Sequence, residues 1–231
     1  MNTNSNTYTI VYASVMVAIV AFLLAFVSSS LKDKQNENVE LDKKKQILSA
    51  LNVDIKGADV AQLYSEIVLK EQIIDDKGNV KAETGAFAID SKVENSKPLE
   101  ERNLPLFVCQ IDGATKYVLP VYGAGLWGPI WGYIALDDDK STIYGVYFSH
   151  AGETPGLGAE IAAQPFQEQF TASPKHITRD GEFTSIAIVK PGKVDESRDY
   201  VNGISGGTIT SQGVDAMLQS GLGQYVNFLK Q

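Results

Sequence analysis

The sequence predicts an α+β protein: a single N-terminal transmembrane helix followed by a mostly antiparallel-sheet domain with flanking helices. Three observations carry this. The first 31 residues hold no charged side chain and contain a long apolar run. From about Phe107 the chain breaks into short segments rich in branched and aromatic residues, bounded by Gly, Asp or Pro. Near the C-terminus apolar residues return at helical spacing.

The apolar run is Ile10–Val27, IVYASVMVAIVAFLLAFV, interrupted only by Tyr12 and Ser14. At about 1.5 Å per residue it makes a helix about 27 Å long, close to the roughly 30 Å of a bilayer's hydrocarbon core. Tyr8 and Tyr12 stand near its start, where an aromatic ring can rest at the interface. A cleaved signal peptide is the competing reading, with Ser28–Ser30 as a small-residue cleavage site. A retained anchor accounts better for the missing Lys or Arg before the run and for its length. Lys32, Lys34 and Lys43–Lys45 follow the span, and by charge bias alone they would keep the following domain in the cytoplasm.

Leu31–Lys45 is polar and mixed in charge, suited to a solvated stalk or to a helix continuing from the membrane. Gln46–Leu51 and Val60–Leu69 show helical apolar spacing, Asp76–Asn79 signals a turn, and Ala82–Glu100 reads as loop. Strands are expected over Tyr117–Tyr122, Ile130–Leu136, Ile143–Phe148 and Ser185–Val189. Asp137–Lys140 reads as a hairpin turn, which makes the second and third of these antiparallel. Pro165–Phe170 predicts a short helix. Val214–Leu229 predicts a longer one, with Val214, Met217, Leu218, Leu222, Tyr225, Val226 and Leu229 on one face. The expected divisions are a short tail over 1–9, the transmembrane helix over 10–30, a polar stalk and membrane-proximal helical region over 31–106, and the sheet domain over 107–231.

Composition narrows the function. With 44% apolar residues there is material for a core, and a formal charge of −8 argues against a nucleic-acid partner. The one cysteine, Cys109, cannot form an internal disulfide or hold a cluster alone, and it reads as a small buried residue. His150 and His176 show no ligand spacing, so no metal site is supported. There is no P-loop pattern.

Two segments remain as carriers of chemistry. Gly203–Ser211 reads GISGGTITS and lies just before the terminal helix. Successive glycines let several N–H groups point into one concavity, and a helix start adds partial positive charge, so such a turn binds phosphate without lysines. The hydroxyls of Ser205, Thr208, Thr210 and Ser211 add donors, although a Ser or Thr here would equally serve as a helix cap. Glu153–Gly158, ETPGLG, follows a predicted strand; Pro and two Gly fix a tight loop whose backbone can press against a planar ring, or form an ordinary surface turn.

Together these segments resemble a known family. Tyr122–Leu136 (YGAGLWGPIWGYIAL), His150–Ile161 (HAGETPGLGAEI) and Asn202–Val214 (NGISGGTITSQGV) are similar to the C subunit of the sodium-translocating NADH:quinone reductase, and more broadly to the FMN-binding domain shared with the G subunit of the Rnf electron-transport complex. Gly125-Leu126-Trp127 favours the former. The resemblance implies one FMN per chain, esterified through its phosphate to Thr208 by a separate flavin transferase using FAD and Mg²⁺. It implies Ser205, Gly206, Gly207, Ile209 and Thr210 around the attachment point, and Glu153, Thr154, Leu157 and Gly158 near the isoalloxazine. Lys190, at a strand end before Pro191-Gly192, offers a charge partner for the phosphate or flavin, or is a solvated strand end. Gly207 stands where Ala is common in the family, which loosens the turn but keeps the acceptor. Trp127 and Trp131 are read as core or partner-packing residues rather than flavin-stacking ones.

The implied role is an electron relay between a partner's iron–sulfur centre and another covalent flavin, with sodium pumping left to partners. No catalytic residue is implied in this chain. The implied location is the bacterial inner (cytoplasmic) membrane with the flavin domain on the periplasmic side, against the lysine count. Two alternatives stay open: an Rnf-type subunit, and a membrane-anchored scaffold in which Ser205–Ser211 merely caps a helix.

Overall fold

The computed structural model describes residues 5–231, in two units that divide between Lys43 and Lys44. Helix α1 (Asn6–Ala50) runs through the apolar segment and on through the polar residues after it, so the stalk is helical. Of the expected tail, residues 1–4 lie outside the described residues and Asn6 already opens α1. Among the described residues α1 alone is long and apolar enough to cross a bilayer. Its apolar side chains are exposed, Phe22 and Val17 among them. Water would penalise that surface and lipid would not.

In the second unit, helix α2 (Val60–Ile67) starts on Asp59, whose carboxylate accepts the amides of Ala61 and Gln62. Strands β1 (Val68–Ile74), β2 (Val80–Ala82), β3 (Leu104–Ile111), β4 (Ala114–Ala124), β5 (Pro129–Leu136) and β6 (Ile143–His150) form a six-stranded sheet in the order β2-β1-β3-β4-β5-β6. Every neighbouring pair is antiparallel. Helix α3 (Ser91–Asn95) lies in the segment expected to be loop. After the sheet come α4 (Gln164–Gln167), the small hairpin of β7 (Thr178–Arg179) and β8 (Glu182–Phe183), the parallel pair of β9 (Ala187–Val189) and β10 (Tyr200–Asn202), then α5 (Thr208–Gly223) and α6 (Val226–Leu229).

Alternation along the strands buries both faces of the sheet. On one face Leu119, Val121, Ile130 and Ile134 pack under α5, which contributes Val214, Met217, Leu218 and Leu222. Each such side chain contributes roughly 1.5–3 kcal/mol by leaving water. On the other face Phe107, Cys109, Val118 and Ala135 pack with Ile47, Leu48 and Leu51 from around the end of α1 and with Val60 and Tyr64 of α2. Cys109 is fully buried, as expected.

Three expectations are corrected. The sheet begins at Val68, and the expected boundary between residues 106 and 107 falls inside β3. Strand β1 escapes recognition because its inward row includes a polar residue: Gln72 is buried and donates to Glu83 Oε2 at 2.9 Å. The C-terminal helix starts at Thr208 instead of Val214 and stops at Gly223, so Phe228 rather than Val226 is buried beyond the break.

Candidate functional site

The start of α5 is where the glycine-rich turn becomes a site. Gly206 has φ +76°, a left-handed conformation that suits glycine, and an added Cβ there would stand 2.7 Å from Leu157 Cδ2. The residue at the N-cap is Gly207, and no side chain caps the helix. The capping alternative for Ser205 and the threonines therefore fails. Ser211 N–H makes the first backbone bond of the helix, to Gly207 O at 2.9 Å, so the amides of Thr208, Ile209 and Thr210 form the donor-rich first turn. Ser211 Oγ closes the turn by accepting Ile204 N–H at 2.9 Å. At Gly207 an added Cβ would sit 3.0 Å from Ile204 Cβ, so Ile204 occupies space that an alanine there would need.

The two threonines of the turn are placed oppositely. Thr210 is 2% exposed, and its hydroxyl donates to Glu153 Oε2 at 2.6 Å. Thr208 is exposed, and no hydrogen bond to its hydroxyl is found among the described residues.

Glu153 comes from the loop that follows β6. Its carboxylate is buried; Oε1 accepts Trp127 N–H at 2.8 Å, and its own amide donates to His150 Nδ1 at 3.1 Å. Burial pushes its carboxyl upward, but the Thr210 hydroxyl, the Trp127 amide, His150 and the Leu126 amide together hold it below the usual carboxylate range. Beyond it the loop turns tightly, with Leu157 N–H and Ala159 N–H both bonding Thr154 O at 3.1 Å. Gly158 then passes so close to the Glu153 carboxylate and the Thr210 hydroxyl that a Cβ there would overlap both.

These elements enclose a cavity of about 370 Å³, a size typical of cofactor pockets. It brings together Glu153, Thr154, Leu157 and Gly158 with Gly206, Gly207, Thr208, Ile209 and Thr210. Leu126 and Trp127 complete the wall, and the core reading of Trp127 is corrected: it is 69% exposed where it lines the cavity. Trp131 is half-buried and donates to Gln46 Oε1 at 3.1 Å. A second hollow, about 70 Å³, lies on the other side of Thr208 and is lined by Lys190, Pro191, Ser211 and Gln212. Lys190 is thus near the threonine, whereas Ser205 is exposed at the turn and lines neither space.

Sequence reasoning left out Leu126 and Trp127 as site residues. The signal was available. They sit at the tip between β4 and β5, a position where polar turn residues are usual and an exposed tryptophan is not.

The chemistry of the walls matches a planar ring joined to a phosphate. Exposed Leu126, Trp127, Leu157 and Ile209 give an apolar rim, while the first-turn amides of α5 and Lys190 offer donors and positive charge near Thr208. FMN has this form.

Comparison with known proteins agrees. The FMN-binding domain family model matches residues 125–223. The C subunit of the Na⁺-translocating NADH-quinone reductase of Vibrio vulnificus (strain YJ016) is 27% identical over 221 residues, covering 89% of this chain and 86% of that protein. Its counterpart from Vibrio alginolyticus is 29% identical over 224 residues, with the same coverage. Among solved structures, the C subunit from Parabacteroides distasonis ATCC 8503 is 46% identical, with a TM-score of 0.81 over 87% of this chain and 98% of that one. The Shewanella oneidensis NqrC structure is 26% identical, with a TM-score of 0.68 over 84% and 99%. At the identity and coverage of the Parabacteroides structure, the chain belongs to the NqrC family, the C subunits of the Na⁺-translocating NADH-quinone reductases.

Proposed function

We propose that this chain is the electron-transfer subunit of a sodium-pumping NADH:quinone oxidoreductase and carries FMN esterified to Thr208. The supporting observation is the contrast between the threonines. A hydroxyl that is to become an ester oxygen must reach the transferase and lose its proton. Thr208 stands exposed at the first position of α5, while Thr210 is buried with its proton committed to Glu153. FMN supplies one-electron redox chemistry when bound. The chain's own groups hold it: Gly206, Gly207 and Ile209 surround the ester, and Lys190 offsets the phosphate charge. Glu153, Thr154, Leu157 and Gly158, with Leu126 and Trp127, bound the ring and keep water from one side of it.

In the complex this protein stands between an iron–sulfur-carrying subunit and another covalent-flavin subunit. The span α1 offers no charged side chain to an ion pathway between Ile10 and Val27, so sodium ligands come from partners. Similarity to the NqrC family supports an FMN domain on the periplasmic side of the inner membrane, and the lysines after the span do not oppose it strongly, because large domains translocate largely regardless of flanking charge. Co-production with a flavin transferase supplied with FAD and Mg²⁺ should give a band that fluoresces after denaturing electrophoresis. External protease should digest the domain in spheroplasts. A dark band, or a protected domain, would overturn the corresponding part of the reading.

A further inference from the structure

We infer that Glu153 is a fixed buried anion that lowers the reduction potential of the flavin, besides joining the walls of its site. The inference rests on the FMN reading above. Glu153 is 4% exposed, and its two carboxylate oxygens reach different parts of the chain: Oε1 takes the Trp127 amide from the β4–β5 tip, and Oε2 takes the Thr210 hydroxyl from α5. Gly158, whose Cβ would collide with the carboxylate, and Gly125, whose Cβ would stand 2.5 Å from Oε1, leave room for it to lie flat between these segments.

The partners of this carboxylate are an amide and a hydroxyl. No Lys or Arg forms an ion pair with it among the described residues; the ion pairs found there use other acids. The groups turned towards it are the Trp127 and Leu126 amides, the Thr210 hydroxyl and His150. Lys190, the cation of the site, lines the separate small hollow beyond Thr208. Gain of one electron by the ring adds one negative charge unless a proton accompanies it. A carboxylate in the wall of the same cavity opposes that charge, and because Glu153 is buried the opposition is screened less than between exposed charges. The ring is therefore harder to reduce here than in a neutral site, and it passes its electron more readily to an acceptor such as a second flavin.

The test uses the full-length chain loaded by the transferase, with two substitutions at this residue. Glu153→Gln is nearly isosteric, keeps an acceptor for the Trp127 amide and lets the Thr210 hydroxyl turn to accept, so the site closes without the charge. Glu153→Asp keeps the charge and loses reach. Redox titration followed by flavin absorbance should show Gln shifting the one-electron equilibrium at least tenfold towards the reduced form, about 59 mV. Asp should stay within a small fraction of that. An unchanged potential in the Gln chain, or equal shifts in Gln and Asp, overturns the inference. Intact mass separates the two levels: unloaded wild-type chain means that the FMN reading has failed, whereas loaded chains with equal potentials mean that only the role of Glu153 has.

Discussion

The two faces of the six-stranded sheet are both buried, and both are built from branched and aromatic residues, but they end differently. The face covered by Ile47–Leu51 and α2 is closed by side chains: Ile47, Leu48, Leu51, Phe107 and Cys109 fill it, all with 1% exposure or less. The face under α5 is equally dry at its centre, around Phe148, Phe170 and Leu218. At its margin, however, side chains give way to glycine and helix-start amides, and the cavity opens there. Packing of the same kind thus yields an inert wall or a site, depending on whether backbone or side chain fills the last layer.

Substitutions on the two faces should therefore separate stability from flavin loading. Leu48→Ala on the first face should cost about 2–5 kcal/mol in urea unfolding and leave the flavin content of the folded fraction unchanged. Gly158→Ala on the other should cost about 1–3 kcal/mol and sharply reduce flavin loading, read by absorbance at equal protein concentration, because its Cβ displaces Glu153 and Thr210. Gly152→Ala in the same loop meets nothing within 4 Å and should change neither, which guards against a general effect of loop stiffening. Thr210→Val should cost about 1–3 kcal/mol by taking one donor from a buried carboxylate, yet keep the covalent flavin.

The smallest effect concerns the inert face. Burial pushes the Cys109 thiol up to about 12, above its value of about 8.5 in the unfolded chain. A raised folded value means that its contribution is complete below about pH 8.5 and is lost as pH rises towards about 12. Wild-type chain should therefore lose stability between about pH 8 and about pH 10 faster than Cys109→Ala, measured as the shift in urea midpoint. Parallel curves would show that the thiol is less enclosed than its burial implies.

Legibility follows the same division. Strands β4, β5 and β6 were readable because their inward rows are apolar and their ends carry turn residues. Strand β1 was not, because Gln72 occupies an inward position and Lys70 and Glu71 interrupt the pattern. In the site, the glycine turn and the ETPGLG loop each looked like an ordinary turn locally, and only the resemblance joined them. The bond from Thr210 to Glu153 spans 57 residues, so no local pattern could show that one threonine is sealed and the other free. Nor could spacing show that the helix cap is glycine, which removes the main rival reading of the hydroxyls.

The central claim is that Thr208, and not Thr210, carries the flavin. Intact mass of the full-length chain co-produced with the flavin transferase tests it most directly, on wild type, Thr208→Ala and Thr210→Val. Wild type and Thr210→Val should each show one adduct equal to FMN less water, and Thr208→Ala should show none while keeping its unfolding midpoint. An adduct that survives in Thr208→Ala, or is lost only in Thr210→Val, would contradict the account.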